Sequence, residues 1–302
     1  MKYKNTVSLL VVCIILLSLT ASVYGVFSNE GQGQYEFKSL QGETVSIYGK
    51  GLYKNDSTAM AVQARAQDTI TMFLGVPLLV ISLYMARRNS LKGRLLLTGT
   101  LSYFLYSYVM YTFIAMYNQF FLVYVILMAT ALYAFVLAML SFDVEELSCS
   151  FSEKLPVKLV GGFLLFLGAA VGLLWIGRIV PPLMEGTVPV GLEHYTTLVI
   201  QGLDLGIVIP AQFIAGVLLI RRKSFGYLLA PVMTVKLITL LTALTAMVVG
   251  QALAGVKMVF FEMAMFPLFN LMAIYCLAVI LKNMKEKGSN KAVTPRAGGG
   301  HS

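Results

Sequence analysis

TTLVIQGLDLGIVIPAQFIAGVLLI, residues 196–220, leads through the basic turn RRKS into FGYLLAPVMTVKLITLLTALTAMVVG, residues 225–250. Each run is long enough to cross ~30 Å of hydrocarbon, which takes about 20 mostly apolar residues in a helix. Each also carries an ionisable residue, Asp204 in the first and Lys236 in the second, and Glu262 falls in the next apolar run, 258–281. A charge near the bilayer centre costs at least ~2.5 to 3.5 kcal/mol on insertion scales, so it persists where it is paired, wetted or used. These three residues mark a site inside a membrane-spanning fold.

Working outward, the same reading gives eight spans, at 7–26, 69–86, 95–116, 120–141, 159–180, 196–220, 225–250 and 258–281. The expected fold is an all-α, polytopic transmembrane helical bundle. Composition agrees: the 302 residues are 58% hydrophobic and only 12% charged, against roughly 25% charged in soluble domains. The net charge of +9 does not point to nucleic acid, because the basic residues cluster at span ends. Lys2 and Lys4, Arg87 to Arg94, Lys154 and Lys158, Arg221 to Lys223, and Lys282 to Lys287 all fall on one side. That is the positive-inside pattern, and it places both termini in the cytoplasm.

Residues 1–26 read as a first helix or signal anchor, though Lys2, Lys4 and the run SLLVVCIILLSL also describe a cleavable signal peptide. Residues 27–68 form an extracytoplasmic loop, in which QYEFKSL and ETVSIYGKGLYK alternate well enough for a small β-hairpin. Helices two to four fill 69–141, a cytoplasmic loop 142–158, and helices five to eight 159–281. The basic, Gly-rich stretch 282–302 is expected to be a disordered cytoplasmic tail. Cys13, Cys149 and Cys276 are too far apart to suggest a disulfide framework or redox pair. His194 has no second histidine on a helix, so neither a metal site nor a cofactor is expected.

The two parts of the chain resemble each other. PLLVISLYMARRNSLKGRLLLTG matches PAQFIAGVLLIRRKSFGYLLAPV, with Pro77 against Pro210 and the basic pairs Arg87-Arg88 and Arg221-Arg222 aligned. Asp68 then falls close to Asp204, and Tyr103 close to Lys236. A four-plus-four parallel repeat is the expectation, an arrangement that in transporters puts the site between repeats. Two hydrophobic hairpins with basic turns can also look alike through topology alone.

Thr197, Gln201, Asp204 and Val208 share one helix face, which is polar toward the outer end. The Lys236 stem can reach either carboxylate, so Asp204, Lys236 and Glu262 are expected to converge in the outer half of the membrane. Arg65 and Asp68 at the second span, Tyr103 on the third and Arg178 on the fifth are expected around the same cavity. The competing reading of Asp204 with Lys236 is a buried ion pair that only fixes packing.

GLYKNDSTAMAVQARAQD, ARRNSLKGRLLLTG, YNQFFLVYV and LEHYTTLVIQGLDLGIVIPA resemble runs in a family of hypothetical multi-pass prokaryotic membrane proteins. The resemblance covers most of the chain after the first span and implies a prokaryotic cytoplasmic membrane. That family has no assigned activity, so the resemblance implies no chemistry. From the residues, three functions stay open. The first is a transporter or permease for a small polar or ionic solute, coupled to protons or sodium through the intramembrane charges. The second is a non-catalytic sensor, receptor or assembly factor that uses loop 27–68. The third is an intramembrane enzyme acting on a lipid-linked substrate. The expected partners are the bilayer and a small solute, with self-association compatible.

Overall fold

The computed structural model describes residues 2–253, 255 and 260–285, with backbone alone for 260–262. Helix α1 (Lys4–Phe27) leads to an antiparallel hairpin, β1 (Tyr35–Lys38) and β2 (Thr44–Ile47), in which Tyr35 faces Ile47 and Lys38 faces Thr44. Helix α2 (Thr58–Ile70) continues through a π-turn at Thr71–Gly75 into α3 (Val76–Arg87), followed by α4 (Leu91–Phe113) and α5 (Phe121–Leu140). A short α6 (Val144–Cys149) precedes α7 (Val157–Glu185). Helix α8 (Val199–Leu203) then passes through a second π-turn, Asp204–Val208, into α9 (Ile209–Ile220), before α10 (Ser224–Leu253) and α11 (Phe260–Lys282).

Seven helices among the described residues are long and apolar enough to span a membrane, with α2–α3 and α8–α9 each counted as one. Helix α4 has 23 residues as well, but its tyrosines, serines and threonines make it less apolar. It is packed against α3, α5 and α10, so its polar groups find protein rather than lipid. Large apolar side chains such as Leu9, Leu16, Leu122, Leu173 and Leu271 are exposed around the outside. In a bilayer this is the lipid-facing surface, where helices that satisfy their own backbone can stand. The chain is an all-α, multi-pass membrane bundle.

The basic clusters do meet at one end. Lys4 Nζ donates to the Arg87 carbonyl, Arg94 to that of Ser141, and Arg222 to that of Glu153. The hairpin lies at the other end, beyond Phe27 and before Thr58. These are called the basic end and the hairpin end below.

The second span starts earlier than expected, at Thr58 rather than 69. Ser57 caps it, its hydroxyl accepting from Met60 N–H at 3.2 Å, which satisfies one of the free donors of the first turn. AVQARAQD looks like loop because it is polar, yet it is helical because α2 packs against α1 and α10. Arg65, Gln67 and Asp68 therefore sit within the helix rather than above it.

Three consecutive elements recur along the chain at an offset of 133 residues (71 to 204). The π-turns begin at 71 and 204, the helices after them at 76 and 209, and the next helices at 91 and 224. Pro77 and Pro210 each follow their π-turn by one helical residue. Asn89 and Arg222 both take a left-handed turn, at φ 62° and 53°. Gly93 and Gly226 both press onto the end of the preceding helix: a Cβ on either would lie 2.4 Å from that helix. The alignment expected from sequence slips by one residue on either side of the turn. In the structure Asp68 corresponds to Gln201, Asp204 to Thr71, and Tyr103 to Lys236.

The matched parts are filled differently. In the first, α1 packs along α5, and Tyr53, Tyr108, Tyr111 and Tyr124 are buried between helices. In the second, α7 packs along α9 and, among the described residues, touches α11 only sparsely, as where Phe166 meets Phe269 edge-on at 5.9 Å.

Candidate binding cavity

The space left in the second part is a cavity of about 360 Å³. Leu167, Val171, Leu237, Leu241, Phe266 and Phe269 line its walls toward the basic end, and Glu193, Tyr195 and Arg178 stand at its mouth. Most of the lining is apolar, so the expected polar cavity is met only in part, at the mouth and at Tyr106, Gln201, Asp204 and Gln212. A smaller cavity of about 130 Å³ adjoins it toward α2 and α4. Tyr106 faces both.

Asp204 opens the second π-turn and is buried on the cavity wall. The wider turn puts one extra residue into the helix, which rotates the residues above it relative to those below. Asp204 Oδ1 accepts from Tyr106 O–H at 2.7 Å, and Oδ2 accepts from Trp175 Nε1–H at 2.9 Å. The carboxylate thus has a donor on each oxygen, from α4 and α7, which offsets much of the cost of its burial.

Lys236 is also buried, but its Nζ has no hydrogen-bond partner among the described residues. It lies 4.1 Å from the centre of the Tyr106 ring, a cation–π geometry. The expected direct meeting of Asp204 and Lys236 is not what forms: one tyrosine stands between them, ring to the lysine and hydroxyl to the aspartate. Glu262 belongs to α11, and its side chain lies outside the described residues.

Gln201 is buried and lines the cavity one turn above Asp204, as its helix face predicts. Thr197, expected on the same face, precedes the helix and is exposed, yet it too lines the cavity. Arg178 reaches the mouth, where it donates to the Val190 carbonyl and lies 5.9 Å from the Trp175 ring.

The remaining expected site residues lie elsewhere. Asp68 is enclosed in the first part, where it accepts from Tyr53 O–H at 2.6 Å and Tyr111 O–H at 3.0 Å. Tyr103 does not line the large cavity; its hydroxyl accepts from Gln67 at 2.8 Å and contacts Thr71 Oγ1 at 3.0 Å. Arg65 clamps the hairpin end, donating to the Tyr48 hydroxyl and to the Val26 carbonyl. At matched positions, then, the first part holds the hydroxyl pair Thr71 and Tyr103, and the second holds the ionisable pair Asp204 and Lys236.

Sequence reasoning missed three residues here. Trp175 is the sole tryptophan, placed deep in an apolar run. Gln212 lies two turns past Asp204 and is 2% exposed; it lines the cavity, and its Nε2 has no partner among the described residues. Asp56 ties the two parts together at the hairpin end. Its Oδ1 accepts from Met116 N–H and Tyr195 O–H, both at 3.0 Å, while Oδ2 is buried without a partner among the described residues. Burial pushes this carboxyl up to about 6 against the pull of those two hydrogen bonds. Burial also raises the Tyr195 phenol, and the charge of Asp56 adds to the rise. Beside them, His194 Nε2 lies 3.1 Å from the Asn55 carbonyl.

No protein-family model, curated protein or solved structure matches the chain.

Proposed function

We propose that this protein is a membrane carrier that binds a small solute in the cavity between α7, α9, α10 and α11, with Asp204 as the group that exchanges a proton or cation. The observation that carries this is the arrangement around Tyr106, with Asp204 held on the cavity side and an unpaired, buried lysine against its ring. Protonating or ion-pairing Asp204 weakens its hold on the Tyr106 hydroxyl and changes what Lys236 faces, so ion occupancy and packing are linked. The 133-residue offset shared by the π-turns and the two helices that follow each of them supports a parallel duplication, a common plan among carriers. Under the positive-inside rule the basic end is cytoplasmic; the cavity then opens outward, in the cytoplasmic membrane of a prokaryote.

The test is solute-driven pH change inside proteoliposomes loaded with a pH-sensitive dye, screened across small organic acids, amines and neutral solutes. The carrier reading expects at least one solute to move protons with the wild type and none with Asp204→Asn, both proteins remaining folded. Flux that survives Asp204→Asn unchanged removes Asp204 from the mechanism. Wild-type vesicles that respond to sodium but not to pH identify the coupling ion as sodium.

A further inference from the structure

We infer that the ligand of this cavity is a largely apolar molecule carrying a hydrogen-bond acceptor at its leading end, which it presents to Gln212. This rests on the same cavity as the carrier reading but does not require transport.

Three observations converge. Gln212 is buried and lines the cavity, and its Nε2 has no hydrogen-bond partner among the described residues. Leaving a buried amide donor unmade costs ~1 to 3 kcal/mol, a cost that a ligand oxygen would remove. A carbonyl or ether oxygen supplies the acceptor that this donor lacks. Gln212 lies eight residues beyond Asp204, ~12 Å at 1.5 Å per residue, and the walls on the way are Leu167, Val171, Leu237, Leu241, Phe266 and Phe269. A strongly hydrated solute would lose its water there without replacement partners.

The third observation is the contrast between the two parts. Where α1 packs closely along α5 in the first, α7 and α11 touch only sparsely among the described residues of the second, as at Phe166 and Phe269. Both helices present apolar side chains outward, among them Leu173, Leu268 and Leu271. An apolar molecule dissolved in the bilayer therefore meets this gap without crossing water. A volume of about 360 Å³ falls within the range of small-molecule sites, ~300 to 1,000 Å³.

Trp175 makes the test direct, because it is the only tryptophan and it lines the cavity. The probes are a matched pair, 11-bromoundecan-2-one and 1-bromoundecane, in nanodiscs; the bromine quenches tryptophan, and only the first has a carbonyl. The wild type is expected to be quenched by the ketone at roughly five- to tenfold lower concentration, the scale of one hydrogen bond. Gln212→Leu should erase that preference without altering unliganded emission, and Gln212→Met serves as a second variant if leucine impairs folding. Equal quenching by both probes in the wild type, or a preference that survives loss of the amide, overturns the inference. So does quenching by dibrominated phosphatidylcholine that the ketone cannot relieve, since the occupant would then be a lipid chain. Ketone preference with no flux from any solute would sink the carrier reading and leave this one standing. Asp204-dependent flux without ketone preference would do the reverse.

Discussion

The Lys236 ammonium lies 4.1 Å from the centre of the Tyr106 ring, whose hydroxyl is bound to Asp204. A neutral ring thus separates two opposite charges that could have formed a buried salt bridge. Because the lysine has no hydrogen-bond partner and the aspartate has two, the lysine is the less well satisfied of the pair. Lys236→Met is expected to be neutral or to stabilise by about 1 to 3 kcal/mol, measured as thermal stability in detergent. A loss of ~3 kcal/mol or more would instead mean a direct ion pair. Tyr106→Phe, which removes a donor to the carboxylate, should cost about 1.5 to 3 kcal/mol.

Gly25 of α1 lies against Asp68, and a Cβ there would sit 2.0 Å from Asp68 Oδ2. Gly25→Ala should destabilise by about 1 to 3 kcal/mol, since the carboxyl is also held by two tyrosines and cannot simply swing aside. Gly202 in α8 has nothing within 4 Å of its would-be Cβ. There alanine should be neutral or slightly stabilising, as helix propensity favours it over glycine. Melting curves of the two variants side by side check both statements, and equal effects would contradict them.

Gly161 of α7 and Gly216 of α9 face each other, each would-be Cβ falling 2.7 to 2.8 Å from the other's carbonyl oxygen. This close approach keeps α7 on α9 and away from α11. Gly216→Val should force the two helices apart and lower stability by about 1 to 3 kcal/mol. Because α7 carries Trp175, its emission should shift as well. A valine variant with unchanged melting and unchanged emission would show that α7 is held elsewhere.

Asp56 gives the hairpin end a pH dependence of definite sign. Its folded-state value, about 6, lies above the ordinary 3.8, so the folded protein binds this proton more tightly than the unfolded chain. Its contribution to stability is greatest below pH 4, falls as pH rises from about 4 to 6, and levels off above. A shift of this size corresponds to roughly 3 kcal/mol. Asp56→Asn keeps an acceptor for Met116 and Tyr195 while removing the titration, so its melting temperature should vary less between pH 4 and 7. Identical pH profiles for the two proteins would rule Asp56 out as the titrating group.

The spans were legible because hydropathy and length are properties of each run alone, and the basic turns marked their common end. Gln201 and Asp204 were legible as a buried face for the same local reason. Contacts between segments were another matter. Nothing local to 204 or 236 reveals that a tyrosine from α4 stands between them. Polarity made AVQARAQD look like loop, although packing against α1 and α10 holds it as helix. The π-turns escaped notice because their backbone pattern has no hydropathy signature, and the alignment slipped by one residue at the basic turn, where Arg87-Arg88 was set against Arg221-Arg222. Trp175 and Gln212 were passed over as members of apolar runs; only the cavity between helices gives them a common purpose.

The two π-turns have a mechanical consequence. A regular α-helix advances ~100° per residue, so one surplus residue sets the helix above each turn and the helix below it in separate angular registers. Deleting a single residue from Asp204–Val208 would therefore swing Gln201 and the rest of the upper segment about a quarter-turn while leaving Gln212 in place. The upper segment is, in effect, indexed like a dial on a fixed shaft, and the wide turn is the place where that dial can slip.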